Sequence, residues 1–211
     1  MKTDRLIAVL AADAKAERPL ATGLWVGLVP AVALSSAGLL AGLGPRPDLA
    51  AAVTDPVAGL RHVLSLTLML AGLAVAMRLA RPGERPGRTA FWFVVVAGLA
   101  GTLWLSTFVG TPPGMRAMAV QGKTMTTCLA TIPVLSLLPV AAVLVMLRRG
   151  VVERPALGGA VAGLAGGGAG AAIYALHCIE DNPLFFVTWY GLAILIVTGL
   201  SALVGARVLR R

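Results

Sequence analysis

Six apolar blocks run through this 211-residue chain, each about as long as a bilayer core is thick, and they leave little sequence for anything else. A helix crossing a hydrocarbon core of about 30 Å needs about 20 apolar residues, because each residue rises about 1.5 Å. The blocks cover residues 20–43, 57–79, 90–110, 124–147, 156–178 and 184–206. Short connectors rich in Pro, Gly and Arg separate them, such as Gly44-Pro45-Arg46-Pro47-Asp48 and the basic stretch from Arg81 to Arg88. Only 13% of the chain is charged, where a soluble domain is nearer a quarter. The fold expected is an all-α integral membrane protein with six transmembrane helices over residues 20–206. It is flanked by a segment at 1–19 and a basic tail at 207–211. No cleavable signal peptide is expected, since the first block is long and follows a mostly polar stretch.

The charges orient the bundle. Fourteen of the 18 Lys and Arg fall on one side: Lys2, Arg5, Lys15 and Arg18; Arg78, Arg81, Arg85 and Arg88; Arg148, Arg149 and Arg154; Arg207, Arg210 and Arg211. The opposite side has Arg46, Arg61, Arg116 and Lys123. Basic residues collect on the cytoplasmic side of a membrane, which places both termini in the cytoplasm. The net charge of +9 then follows from topology and contact with anionic lipid. It does not require direct nucleic-acid binding.

Within the bundle, the block at 156–178 is dense in glycine. Gly159/Gly163, Gly163/Gly167 and Gly166/Gly170 have the spacing that lets helix backbones approach closely, marking a central helix. Pro133 and Pro139 should bend the block at 124–147. Trp25, Trp92 and Trp189 suit interfacial belts. The middles of the spans contain no Asp, Glu, Lys or Arg, which disfavours a proton pump or charged-substrate carrier. No phosphate loop, zinc-protease pair or nucleophile elbow is evident, so an enzyme is not expected.

The polar chemistry gathers at Leu176-His177-Cys178-Ile179-Glu180-Asp181-Asn182-Pro183. Topology brings Cys128 and His62 to the same outer layer, with Cys128 about four residues, or ~6 Å, below the edge. Three readings of the cysteines stand side by side. They are small packing residues; or they form a disulfide on the oxidising side of the membrane; or Cys128 and Cys178 form a thiol-reactive or soft-metal sensor with the imidazole of His177 or His62. His62 alone reads as an interfacial polar residue. Glu180 and Asp181 read as a solvated turn that could tune the thiol. The absence of a CxxC pair makes the metal signature weak. No resident cofactor is expected, at most a transient heavy-metal ion.

The segment 1–19 can form a short helix capped by Thr3 or Asp4, with Leu6, Ile7, Val9 and Leu10 on an apolar side. Such a helix can dock in a partner's groove. The opening Met1-Lys2-Thr3-Asp4-Arg5-Leu6, the step from Cys128 to Pro133, and above all the block from Leu176 to Phe185 with Trp189-Tyr190 resemble the NrsF family across essentially the whole chain. That family comprises six-span inner-membrane anti-sigma factors. The resemblance implies that the chain holds an extracytoplasmic-function (ECF) sigma factor inactive. It implies too that the cysteines matching Cys128 and Cys178 sense oxidant or heavy-metal stress, and that the N-terminal segment is the sigma-contacting element. Asp4, Leu6, Ile7, Leu10 and Asp13 are then the candidate contacts. The expected partners are an ECF sigma factor, membrane lipid and, as an open question, a second copy of the chain. The competing expectation is a small transporter or channel-like subunit for a neutral or soft-metal solute.

Overall fold

The computed structural model describes Thr3 and residues 20–210. Asp4, Leu6, Ile7, Leu10 and Asp13, the candidate sigma contacts, lie outside the described residues. Among the described residues the chain is helical throughout, with no strand. In chain order the helices are α1 (Leu20–Gly42), α2 (Leu49–Thr54), α3 (Pro56–Leu79), α4 (Phe91–Gly110), α5 (Pro113–Gln121), α6 (Met125–Arg149), α7 (Pro155–Tyr174) and α8 (Pro183–Val208). A 3-10 turn over Gly87–Ala90 leads into α4. Among the described residues, six helices are long and apolar enough to cross a membrane.

Local chemistry sets where these helices start. Asp55 caps α3, its carboxylate accepting from the amides of Val57 and Ala58 at 2.8 Å each, while Pro56 occupies the first helical position. Asn182 and Pro183 do the same for α8, with the Asn182 side chain accepting from the Leu184 amide at 2.9 Å. Two short helices interrupt stretches whose Pro and Gly content reads as plain loop. These are α2, in the first connector, and α5, which runs from Pro113 before Gly122 turns the chain with φ +58°.

α7 is the hub, and glycine lets three neighbours reach its backbone. A Cβ at Gly163 would meet the Thr198 Cα of α8 at 2.6 Å, and one at Gly166 would meet the Val140 amide of α6 at 2.8 Å. One at Gly168 would meet the Ser65 carbonyl oxygen of α3 at 2.7 Å. Close backbone approach through small residues is how helices pack where surrounding solvent supplies no hydrophobic drive. α4 is the opposite case. No residue of it is buried, and it stands against α3 and α8 at the rim, tied to α8 where the Trp104 indole donates to the Thr188 hydroxyl at 3.0 Å.

The bundle has two distinct ends. At one, Gly23 approaches Arg149, Gly150 abuts Ala80, and Gly158 approaches Leu209, so the start of α1 and the end of α8 lie together. At the other, the connectors before α3 and α8 meet around Cys178; this is the cysteine end. The apolar core is continuous along α7. Leu73, Val143, Met146 and Ala162 pack toward the arginine-rich end, while Ile132, Tyr174, Phe185 and Cys128 pack toward the cysteine end.

Candidate functional site

The cysteine end is built by the chain leaving α7. After Tyr174 the helix gives way to a turn at 175–177, four residues short of the expected end of that span at 178. The amides of His177 and Cys178 both donate to the Tyr174 carbonyl, at 2.9 and 3.1 Å, which tightens the exit and turns the Cys178 side chain inward. Cys178 is 1% exposed and Cys128 0%. Both are free thiols within one buried cluster with Ile132, Tyr174, Phe186 and Tyr190. Thr124 lies one turn before Cys128, accepts its amide at 2.9 Å, and places its hydroxyl 4.0 Å from the Cys178 sulfur. The Tyr174 and Tyr190 rings meet edge to face, with centroids 5.7 Å apart.

Above the thiols sits a charged knot. Arg46, between α1 and α2, is buried, and its amide donates to the Leu176 carbonyl at 3.0 Å. Its guanidinium makes paired bonds to Asp48 (2.7 and 2.8 Å) and to Asp181 (2.8 and 2.8 Å), and a longer one to the Cys178 carbonyl at 3.3 Å. Asp181 also reaches Arg61 of α3 at 2.9 Å, and the same Arg61 nitrogen donates to the Glu180 carbonyl at 3.2 Å. Paired guanidinium–carboxylate bonds are the strongest form of this contact. The knot neutralises itself, two arginines against two aspartates, as buried charge must. The hydrogen bond from Arg46 holds the Asp181 carboxyl below the usual carboxylate range against its partial desolvation. Asp48 is lowered by the same partner, and the two carboxylates raise Arg46 in turn.

Several sequence expectations change here. Asp181 is no freely solvated turn residue; it bridges two buried arginines, one from the first connector and one from α3. Glu180 does stay toward the surface, where its carboxylate accepts the Lys123 amide at 2.7 Å. His177 and Cys178 share the end but not a ligand sphere. Nδ1 of His177 bonds the Gly44 carbonyl at 2.9 Å, and Nδ1 of His62 lies 3.4 Å from the Ala58 carbonyl within its own helix. Among the described residues, no group of three or more His, Cys, Asp or Glu side chains is placed to hold a metal ion. Arg46 and Arg61 are the residues that sequence reasoning passed over, counted there only as outer-face charge. Trp189 also has a specific partner, donating to the Val120 carbonyl of α5 at 2.7 Å, where an interfacial belt was expected.

The fold and this end define a class: a bundle of six long apolar helices, hubbed on a glycine-rich helix, with a polar knot locking a pair of buried thiols at one end. The chain belongs to the NrsF family, whose model, described as negative regulator of sigma F, matches residues 10–210. The anti-sigma-F factor NrsF of Caulobacter vibrioides is 33% identical over 217 residues, covering all of both chains. A probable anti-sigma-F factor NrsF of Azospira oryzae is 33% identical over 219 residues, again covering all of both. No solved structure matches the chain.

Proposed function

We propose that this chain is a membrane-embedded anti-sigma factor. It holds an ECF sigma factor at the inner face of a bacterial inner membrane and releases it when Cys128 or Cys178 is modified by oxidant or heavy metal. The observation that carries the reading is the end-to-end match, at 33% identity, to an anti-sigma-F factor. The exterior of the bundle supports the membrane setting. Val26, Leu34, Val94, Leu195 and Leu203 are each at least 60% exposed, and an exterior with that much exposed apolar side chain calls for a cover. The basic residues at the opposite end from the cysteines support termini in the cytoplasm.

The knot supplies a route from the thiols to the N-terminal segment. α1 is held at the cysteine end by Arg46 and by the Gly44–His177 bond, and at its other end it leads out of residues 1–19. A group added to Cys178 has no room in a buried cluster, so the 175–182 turn must move. That turn supplies three of the partners that hold Arg46. Release then follows as a shift of a two-state bundle, which the modification must bias by a few kcal/mol to switch most molecules. Residues 1–19 are the longest of the segments read as inward, so contact with sigma falls to them, with Leu6, Ile7 and Leu10 docking and Asp4 and Asp13 pairing with basic groups.

The test is co-purification of candidate ECF sigma factors with the full-length chain, beside a Leu6→Asp/Leu10→Asp variant. Retention by the first and loss by the second is the expected result. Equal retention by both would remove the N-terminal segment from the mechanism, and retention by neither would remove the anti-sigma reading.

A further inference from the structure

Arg149 closes α6 at the arginine-rich end, and its side chain reaches across to α1. A Cβ on Gly23 would lie 3.0 Å from Nη1 of Arg149, so glycine at this position gives the guanidinium room to rest against the helix. The side chain is exposed, and among the described residues its guanidinium makes no ion pair and no hydrogen bond. It stands at the head of a groove of about 390 Å³ between α1 and α6.

Small residues make the floor of that groove: Gly27 and Ala31 from α1, and Ala142 from α6. At Gly27 an added Cβ would touch the Ala142 methyl at 3.6 Å, so the helices meet there and leave a furrow on their outer side. Val26, Leu34, Leu138 and Val145 form its apolar rims, and each is at least 45% exposed. The furrow is open to whatever surrounds the bundle. From Arg149 to Leu138 it follows about three turns of α6, roughly 16 Å, and half of a hydrocarbon core is roughly 15 Å. A basic group at the interface, heading an apolar furrow that reaches the bilayer midplane, is the outline of a lipid in one leaflet.

We propose that this groove binds an anionic phospholipid from the leaflet at the arginine-rich end, its phosphate on the Arg149 guanidinium and one acyl chain along Gly27, Ala31 and Ala142. The planar guanidinium fork matches a phosphate. Charge selects a head group with a net negative charge, since a choline would set a cation against Arg149 and the other arginines of this end. Length selects a chain from the same leaflet. The second acyl chain stays outside, among the surrounding lipid. Occupancy braces α1 against α6 at the point where residues 1–19 join the bundle. A general attraction between basic loops and anionic lipid would be spread over many arginines; here one arginine and one groove carry the preference. The inference rests on the membrane setting and orientation proposed above and is independent of sigma binding.

The test titrates the full-length chain in detergent with phosphatidylglycerol or with phosphatidylcholine of the same acyl chains, and counts retained lipids by native mass spectrometry. One phosphatidylglycerol should be held in preference to phosphatidylcholine. Arg149→Gln should weaken that binding about fivefold, the worth of one basic residue at an anionic membrane surface. Ala141 is exposed and lines the groove; Ala141→Phe fills the space and should weaken binding by a similar factor. Arg207→Gln, at the same end but outside the groove, should leave it unchanged. Equal retention of the two lipids overturns the head-group assignment. An Arg207→Gln effect as large as that of Arg149→Gln, or undiminished binding by Ala141→Phe, overturns the site. A dimer that Ala141→Phe converts to monomer with lipid retention unchanged assigns the groove to a second copy and overturns the lipid. Each of these results, on a chain that resists alkaline extraction from cell membranes, leaves the membrane setting in place. A chain that alkali strips from those membranes overturns the setting itself, and the inference with it.

Discussion

Asp181→Asn is the sharpest probe of the cysteine end. Among the described residues, Asp181 is the one carboxylate that touches both buried arginines, bonding Arg46 at 2.8 Å through each oxygen and Arg61 at 2.9 Å. Asparagine keeps the shape but removes the charge, and its amide nitrogen turns a donor toward a donor. Breaking a fully buried ion pair from one side costs about 3–5 kcal/mol. The two arginine side chains are 2% and 0% exposed, but Asp181 is 37% exposed, and water screens part of the loss. The cost should therefore fall to about 2–3 kcal/mol. For a chain of this length that is a drop in Tm of roughly 5–10 °C, measured on the full-length chain in detergent. The loss is largely the cost of stranding Arg61, so Arg61→Met on the Asp181→Asn background should restore about 1–2 kcal/mol. A shift below about 2 °C, or no recovery in the double variant, would refute the idea that the knot carries compensated buried charge.

Other consequences are open to measurement. Gly168→Leu drives a Cβ toward the Ser65 carbonyl oxygen at 2.7 Å and the Met69 amide at 2.8 Å, both backbone atoms, and should cost about 3 kcal/mol or more. Gly98→Leu, with nothing within 4 Å of the added carbon, should fall within about 0.5 kcal/mol of the parent in the same unfolding assay. The carboxyls of Asp181 and Asp48 are lowered in the folded chain. Their contribution is therefore complete above the ordinary carboxyl pKa of about 4 and disappears as pH falls through the lower folded values. The stability difference between the parent and Asp181→Asn should hold steady from pH 7 to about 4 and close below it; closure between pH 7 and 5 would point to a different group. Cys128→Ser/Cys178→Ser should keep the sigma factor bound under oxidant or heavy metal that releases it from the parent, read as reporter transcription, and normal induction would end the sensing proposal.

Much of the fold was legible because a bilayer-length apolar block is a signal that local detail cannot blur. The hub role of α7 was legible for a related reason: the spacing of Gly159, Gly163, Gly166 and Gly170 states a packing mode outright. The site was only half visible. Topology alone brings Cys128 and Cys178 to one level, since each sits near the end of a block. The knot was hidden because Arg46, Arg61 and Asp181 belong to two connectors and a helix, 15 to 135 residues apart, and nothing local distinguishes a paired arginine from a solvated one. The short helix α5 was masked by the proline that starts it, since Pro113 at a first helical position and Pro in a loop look alike in sequence. The groove beside Arg149 needs α1 and α6 placed side by side before it exists.

The measurement that bears most directly on the account is the partition of the ECF sigma factor between membrane and soluble fractions in cells with and without this chain. The sigma factor should sediment with membranes when the chain is present, and move to the soluble fraction when the chain is absent or when oxidant or heavy metal is added. A sigma factor that stays soluble whether or not the chain is present would contradict the account.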